Sequence, residues 1–295
     1  MSLQELKSKR KSSIDSLVKK MGQINGNAPQ SSDDEKMWKP AVDKAGNGQA
    51  IIRFLPEPKG EEDPVVRLWN HGFQGPGGWY IENSLTTLNR DDPVSEHNSK
   101  LWNSGREQDK DIARKQKRRL KFYSNIMVIK DPANPQNEGK VFLYEYGKKI
   151  FDMINDQMNP RFDDEDPVNP FDFWEGANFR IKIRKVDGYW NYDKSAFDSP
   201  TPLSEDDDEL EAIWNKQHSL QEIISEDKFK SYDVLKERLN KVLGLSEAVA
   251  APAPKPVEEK SSSEYLDDDI PFDMETKVSD DDDDLSVFKS LMDDD

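Results

Sequence analysis

From residue 50 onward apolar side chains recur at every second position in short runs, and each run is cut off by Gly, Pro, Asp or Asn. Residues 50–55, 65–69, 79–81, 120–129, 141–146 and 179–186 therefore read as strands. Gly75-Pro76-Gly77-Gly78, Asp131-Pro132 and Asp187-Gly188 supply the punctuation between them. Short strands with long connections fit a small barrel better than a parallel sheet with alternating helices. Residues 210–218 and 222–245 carry helical spacing instead, with Tyr232, Leu235, Leu239, Val242 and Leu243 on one stripe. The second helix is expected to pack on the barrel and to end near Gly244. The predicted class is mainly β with flanking helices, with the folded core in residues 21–245.

The ends of the chain have a different character. Residues 1–20 hold six basic side chains against two acidic ones, a net of +4, with Leu3, Leu6, Ile14, Leu17 and Val18 mostly at helical steps. Residues 22–34 are rich in Gly, Asn, Pro and Ser, so the head reads as a flexible basic arm on a linker. Residues 246–295 hold 17 acidic groups against four lysines, a net of -13, and cannot bury enough apolar surface to offset chain entropy. A disordered acidic tail is expected there, with apolar islands at Ile270-Pro271-Phe272 and around Phe288 suited to docking partners. A basic head and an acidic tail on a chain of net charge -17 point to nucleic acid as a third party.

Chemistry on substrates finds little support in the residues. There are no cysteines, three scattered histidines, no Gly-rich phosphate loop, no zinc-protease helix and no nucleophile elbow, so no enzyme is expected. No apolar run has the roughly 20 residues that a membrane-crossing helix requires. A cytoplasmic, membrane-free protein is the expectation.

The positive signal is cations placed beside rings. In Phe179-Arg180-Ile181-Lys182-Ile183-Arg184 the two-residue period sends the apolar side chains to one face and Arg180, Lys182 and Arg184 to the other. Tyr189, Trp190 and Tyr192 follow beyond a turn. Residues 100–121 carry a net of +6, including Arg114, Lys115, Lys117, Arg118, Arg119 and Lys121, with Trp102 inside the stretch and Phe122-Tyr123 directly after it. One of Phe122 and Tyr123 is expected to face inward and the other outward. Tyr144 and Tyr146 share a strand face, and Lys148 and Lys149 follow them. A cationic groove with stacking rings is how proteins hold single strands without reading sequence. The same combination suits single-stranded RNA, and an acidic-tailed scaffold remains an alternative.

Several motifs then become recognisable in order: Gly46-Asn47-Gly48-Gln49-Ala50-Ile51-Ile52-Arg53-Phe54-Leu55-Pro56, Asn70-His71-Gly72-Phe73, Trp79-Tyr80-Ile81-Glu82, Asn137-Glu138-Gly139-Lys140-Val141-Phe142, Gly147-Lys148-Lys149-Ile150 and Trp174-Glu175-Gly176-Ala177-Asn178-Phe179. Together they resemble the helix-destabilising single-stranded-DNA-binding proteins of T-even-like bacteriophages. The resemblance implies an OB-fold barrel core that coats single-stranded DNA during replication, recombination and repair in the infected bacterial cytoplasm. It further implies that Lys9, Arg10, Lys11, Ser12 and Ser13 mediate cooperative self-association along the strand. It assigns base stacking to Trp102, Phe122, Tyr144, Tyr189 and Tyr192, and recruitment of replication, recombination and repair proteins to the tail. Lys117-Arg118-Arg119 match a related basic element of that family, although Leu120 and Lys121 stand where small hydroxyl residues are expected.

Two features depart from or add to the pattern. Zinc-binding members use the His of His-Gly-Phe and three cysteines, whereas here His71 remains and Ser84, Asp92 and Ser95 occupy the cysteine positions. Serine is a poor zinc ligand, so no cofactor is expected, and hydrogen bonding or apolar packing must hold residues 70–100 instead. In the tail, Asp267-Asp268-Asp269-Ile270-Pro271-Phe272 resembles the acidic tip by which bacterial single-stranded-DNA-binding proteins recruit enzymes, but 23 residues follow it.

Overall fold

The computed structural model describes residues 35–162, 164–186 and 188–245. The basic arm (1–20) and the acidic tail (246–295), with every residue assigned to them above, lie outside this range. In chain order the described elements are β1 (Met37–Trp38), β2 (Gly48–Phe54), β3 (Val66–Gly75), β4 (Gly78–Asn83), α1 (Pro93–Trp102), α2 (Glu107–Lys115), β5 (Arg119–Lys130) and β6 (Val141–Tyr146). They continue with α3 (Lys148–Met158), β7 (Asn178–Val186), β8 (Tyr189–Asn191), β9 (Ala196–Phe197), α4 (Asp207–Trp214) and α5 (Tyr232–Leu243).

All six expected strands are present, but they form a mixed open sheet and not the closed barrel. Its path runs β1-β6-β5-β2-β7-β8, with β3 and β4 branching from β5 and β9 beside β7. Only the β1–β6 pair is parallel among the described pairs. The 12-residue β5 organises the layout: its first half pairs with β3 and its second half with β2, while β6 lies along its other edge. The strands at the two ends of that path, β1 and β8, are pieces of two and three residues, and β4, of six residues, pairs among the described strands only with β3.

Apolar side chains cover both faces of this sheet. Ile52, Phe54, Phe122, Ile126, Tyr144, Tyr146, Phe179 and Ile181 point to one face, where Ile150 and Ile154 of α3 close over them. On the opposite side Tyr123 and Leu143 join Val66, Leu68 and Leu220, and Leu55 joins Phe173 with Leu210 and Ile213 of α4. Each fully buried large apolar side chain contributes roughly 1.5–3 kcal/mol, so neither face can be left wet. Phe122 and Tyr123 do point to opposite faces, but both are buried, because the second face is covered too.

The C-terminal helix docks away from the main cluster. Leu235, Leu239 and Val242 pack on Phe73 and Tyr80 of the β3–β4 hairpin and on Leu85 and Val94. The hairpin turn is fitted to this helix: Gly77 donates its N–H to the Val242 carbonyl at 2.8 Å. A Cβ on Gly77 would lie 2.1 Å from the Lys241 carbonyl oxygen. Gly244, with φ 68°, ends α5 in the left-handed conformation. Residues 222–231 do not extend the helix as expected; Phe229 packs between two clusters and Ser231 is extended before the first turn.

Candidate nucleic-acid interface

The alternation in β7 is realised fully. Phe179, Ile181 and Ile183 are buried, while Arg180, Lys182 and Arg184 are exposed on the other face. Two of these cations already have acidic partners: Arg180 bonds Asp198 and Arg184 bonds Asp193. Lys182 has no ion-pair partner among the described residues. Exposed pairs of this kind contribute about 0–1 kcal/mol, so a phosphate can displace them.

Asp193 is the centre of a small basic cluster. The Arg184 hydrogen bonds hold its carboxyl below the usual carboxylate range, with Lys194 and Lys149 acting in the same direction. Lys149 also reaches Asn191 at 3.3 Å, which ties the start of α3 to the β7–β8 hairpin. That hairpin presents Tyr189, 42% exposed, while Tyr192 and Trp190 are partly buried against the main cluster. Lys148, by contrast, is turned to Asp152 on its own helix. Sequence reasoning missed Lys194; its position beside Asp193 was the only local signal.

The second group stands on the α1–α2 pair. Trp102 ends α1 with 39% of its surface exposed. Lys110 and Arg114 of α2 lie 5.9 and 5.4 Å from its ring centroid, within cation–π range. Arg114 is also bonded to Glu107 and Asp111. Lys115 and Lys117 are exposed, and Arg118 and Arg119 are partly buried. Arg118 stacks over Trp69 at 4.1 Å, a platform that the strand pattern around Trp69 did not announce.

Three of the expected contact residues are placed otherwise. Phe122 lies against Phe151, rings 4.0 Å apart and nearly parallel, and next to Tyr146. Tyr144 meets Trp38 edge-on and stacks on Tyr146. Both rings are buried, Phe122 under Phe151 of α3 and Tyr144 against Trp38 of β1. Lys121 points to the opposite side of β5 and is bonded to Glu145, which also accepts the Tyr123 hydroxyl.

The four positions matching the zinc ligands form a hydrogen-bonded node. Asp92 Oδ1 accepts the amides of Val94 and Ser95 at 3.0 Å and lies 3.2 Å from His71 Nε2. Its Oδ2 accepts the Ser84 hydroxyl at 3.0 Å and the Leu85 amide at 3.1 Å. The other His71 nitrogen lies 3.2 Å from the Gln116 carbonyl. Both carboxylate oxygens are thus occupied, the serine hydroxyl is spent as a donor, and two good ligands fall short of the four that structural zinc needs. This donor set does not fit zinc. It caps α1, and the apolar α5 contacts do the rest of holding residues 70–103.

Residues 46–243 match the family described as gp32 DNA binding protein like. The chain is 39% identical over 280 residues to the single-stranded DNA-binding protein of Enterobacteria phage T4, covering 92% of this chain and 91% of that protein. It is 39% identical to the protein of that name from Enterobacteria phage T2 over 281 residues, with the same coverage. A shorter relative from Escherichia phage SV14, also named single-stranded DNA-binding protein, is 46% identical over 101 residues, 32% of this chain and 88% of its own length.

Proposed function

Because the chain belongs to the gp32-like family of phage single-stranded DNA-binding proteins, we propose that it coats single-stranded DNA without base specificity in the infected host cell. The binding surface is the exposed row Arg180, Lys182 and Arg184 with Lys149, Lys194 and the Tyr189 ring beside it, extended by Trp102 and the cations of α2. The observation that carries this reading is the β7 alternation, which turns three cations to solvent next to an exposed ring. Phosphate contacts release counterions, so affinity falls steeply with salt. The rings supply stacking that tolerates any base. By holding only the unpaired form, the protein lowers duplex melting temperature through mass action.

In the same proposal the sheet acts as an OB-type binding surface, and residues 1–20 link neighbouring copies along the strand. Residues 246–295, with net charge -13, compete with DNA for the cationic surface and recruit replication, recombination and repair proteins. No metal takes part.

Fluorescence titration with poly(dT) over a salt series, on the full chain and on a chain ending at Leu245, tests this reading. Quenching that saturates at a fixed nucleotide ratio, weakens with salt and is tighter for the shorter chain is expected. Absence of quenching by either chain at low salt would leave the scaffold reading in its place. Matched RNA homopolymers in competition decide between the two nucleic acids.

A further inference from the structure

The β3–β5 ribbon carries an arginine and a ring that the surface proposed above does not include. Along β3 the side chains alternate: Val66 and Leu68 are buried, whereas Arg67 is exposed and Trp69 partly exposed on the other face. The register with β5 sets Arg67 opposite Phe122 and Trp69 opposite Leu120. Arg118, two residues before Leu120, reaches the same face, and its guanidinium carbon lies 4.1 Å from the Trp69 ring centroid. The indole is anchored from below. The Trp69 amide donates to the Thr87 hydroxyl at 2.9 Å, and its carbonyl accepts the Ser84 amide at 2.8 Å and the Thr87 hydroxyl at 3.3 Å. With β5 along one edge and these bonds along the other, the backbone beneath the ring is fixed.

The chemistry of the two arginines indicates what this face receives. A guanidinium laid against an indole gives up one planar face and keeps its N–H groups, which lie in its own plane, for a bidentate phosphate. The stack also restricts the side chain before any ligand arrives, so less freedom is lost on binding. Arg67 differs from the arginines of β7. Arg180 and Arg184 are paired with Asp198 and Asp193, whereas the exposed Arg67 has no ion-pair partner among the described residues. A phosphate arriving there displaces no carboxylate. Lys115 and Lys117, both exposed, join Arg118 in sequence to the cations of α2, so the charge runs on from the helix pair to the sheet.

We infer that Arg67 and Arg118 are phosphate ligands of the bound single strand, and that Trp69 is a positioning residue that holds Arg118 for its contact. This assignment rests on the proposed function and adds to the surface that performs it Arg67 and Trp69, which neither the charge pattern nor the motifs single out.

The test uses the full-length protein and a dT oligonucleotide that one copy fills, so that cooperativity does not enter, and reads affinity over a salt series. Loss of one phosphate contact on a single strand lowers the slope of log K against log salt by about 0.7. Arg67→Gln and Arg118→Gln are each expected to weaken binding about three- to tenfold at low salt, with that drop in slope. Trp69→Leu is expected to reproduce the Arg118→Gln slope, and Trp69→Phe, which keeps a ring under the guanidinium, to recover most of the loss. Adding Trp69→Leu to Arg118→Gln is expected to weaken binding no further. Urea midpoints are measured for each variant; Arg67 lies on the surface, so Arg67→Gln carries the test even where Trp69→Leu does not fold. Unchanged affinity and slope for Arg67→Gln and Arg118→Gln, with Lys182→Gln still weakening binding, would overturn the inference and leave the proposed function standing. Additive losses for Trp69→Leu and Arg118→Gln would show the indole contacting DNA on its own account and overturn the positioning role. Absence of salt-dependent binding by the unaltered protein would remove the proposed function, and the inference with it.

Discussion

His71 and Asp92 face each other across 3.2 Å with both side chains wholly enclosed. Burial opposes the Asp92 charge, but the hydrogen bond and charge of His71, with the amides of Ser95 and Leu85, bring its carboxyl down to about 2. A carboxyl depressed below its unfolded value stabilises the fold fully above about pH 4, and that contribution, roughly 2 kcal/mol, is lost as pH falls through about 2. Asp92→Asn should remove it at neutral pH and cost about 3 kcal/mol, since a buried partner is left unpaired. Urea unfolding at pH 7 and pH 3 reads both effects, and a chelator should leave the midpoint unchanged. A midpoint lowered by chelator would mean that a metal is held after all.

Tyr189 and Phe122 should separate binding from folding. Tyr189→Ala removes an exposed ring and should weaken poly(dT) binding by about 1–3 kcal/mol with stability unchanged. Phe122→Ala opens a cavity beside Phe151 and should cost about 3–5 kcal/mol of stability. Strong loss of DNA affinity by Phe122→Ala in a chain of unchanged stability would show that the ring leaves its place on DNA.

Asp193 acts as an internal counterion for Arg184. Asp193→Asn should free that guanidinium and tighten binding several-fold at low salt, with a steeper dependence on salt. Titration of both proteins over a salt series measures this; equal affinity at every salt concentration would move the phosphate path away from β7.

Gly77→Ala should loosen α5. The new methyl would collide with the Lys241 carbonyl oxygen, a backbone atom that cannot swing aside, and overpacking of this kind costs about 1–3 kcal/mol. Hydrogen exchange should show the amides of residues 232–243 opening before those of β5. Gly78 has open space around its Cβ position, and Gly78→Ala meets only the strain of φ 110°, about 1 kcal/mol.

The strands and the cationic row of β7 were legible in the sequence, because a two-residue period fixes which side chains share a face whatever lies beyond it. The helix caps were legible in principle as well: Asp92-Pro93 is a capping residue before a first-turn proline, and α1 begins there. What the period cannot tell is whether a face is covered. Phe122 and Tyr144 looked available because Phe151 and Trp38, the rings that cover them, lie 29 and 106 residues away. Lys121 looked like a phosphate ligand because Glu145 reaches it only through the β5–β6 register. The closed barrel failed similarly: strand number follows from the alternation, but closure depends on edge strands whose pairing is set by distant segments.

The sequence by itself therefore determined the strand content, the charge of each segment and the family, since these depend on local spacing and on motifs read in order. The tertiary structure alone decided which rings remain exposed, which cations are already paired, and that the His71–Asp92–Ser84 set is enclosed as a capping node. Burial and pairing are properties of residues brought together from far apart, and a linear pattern carries no term for them.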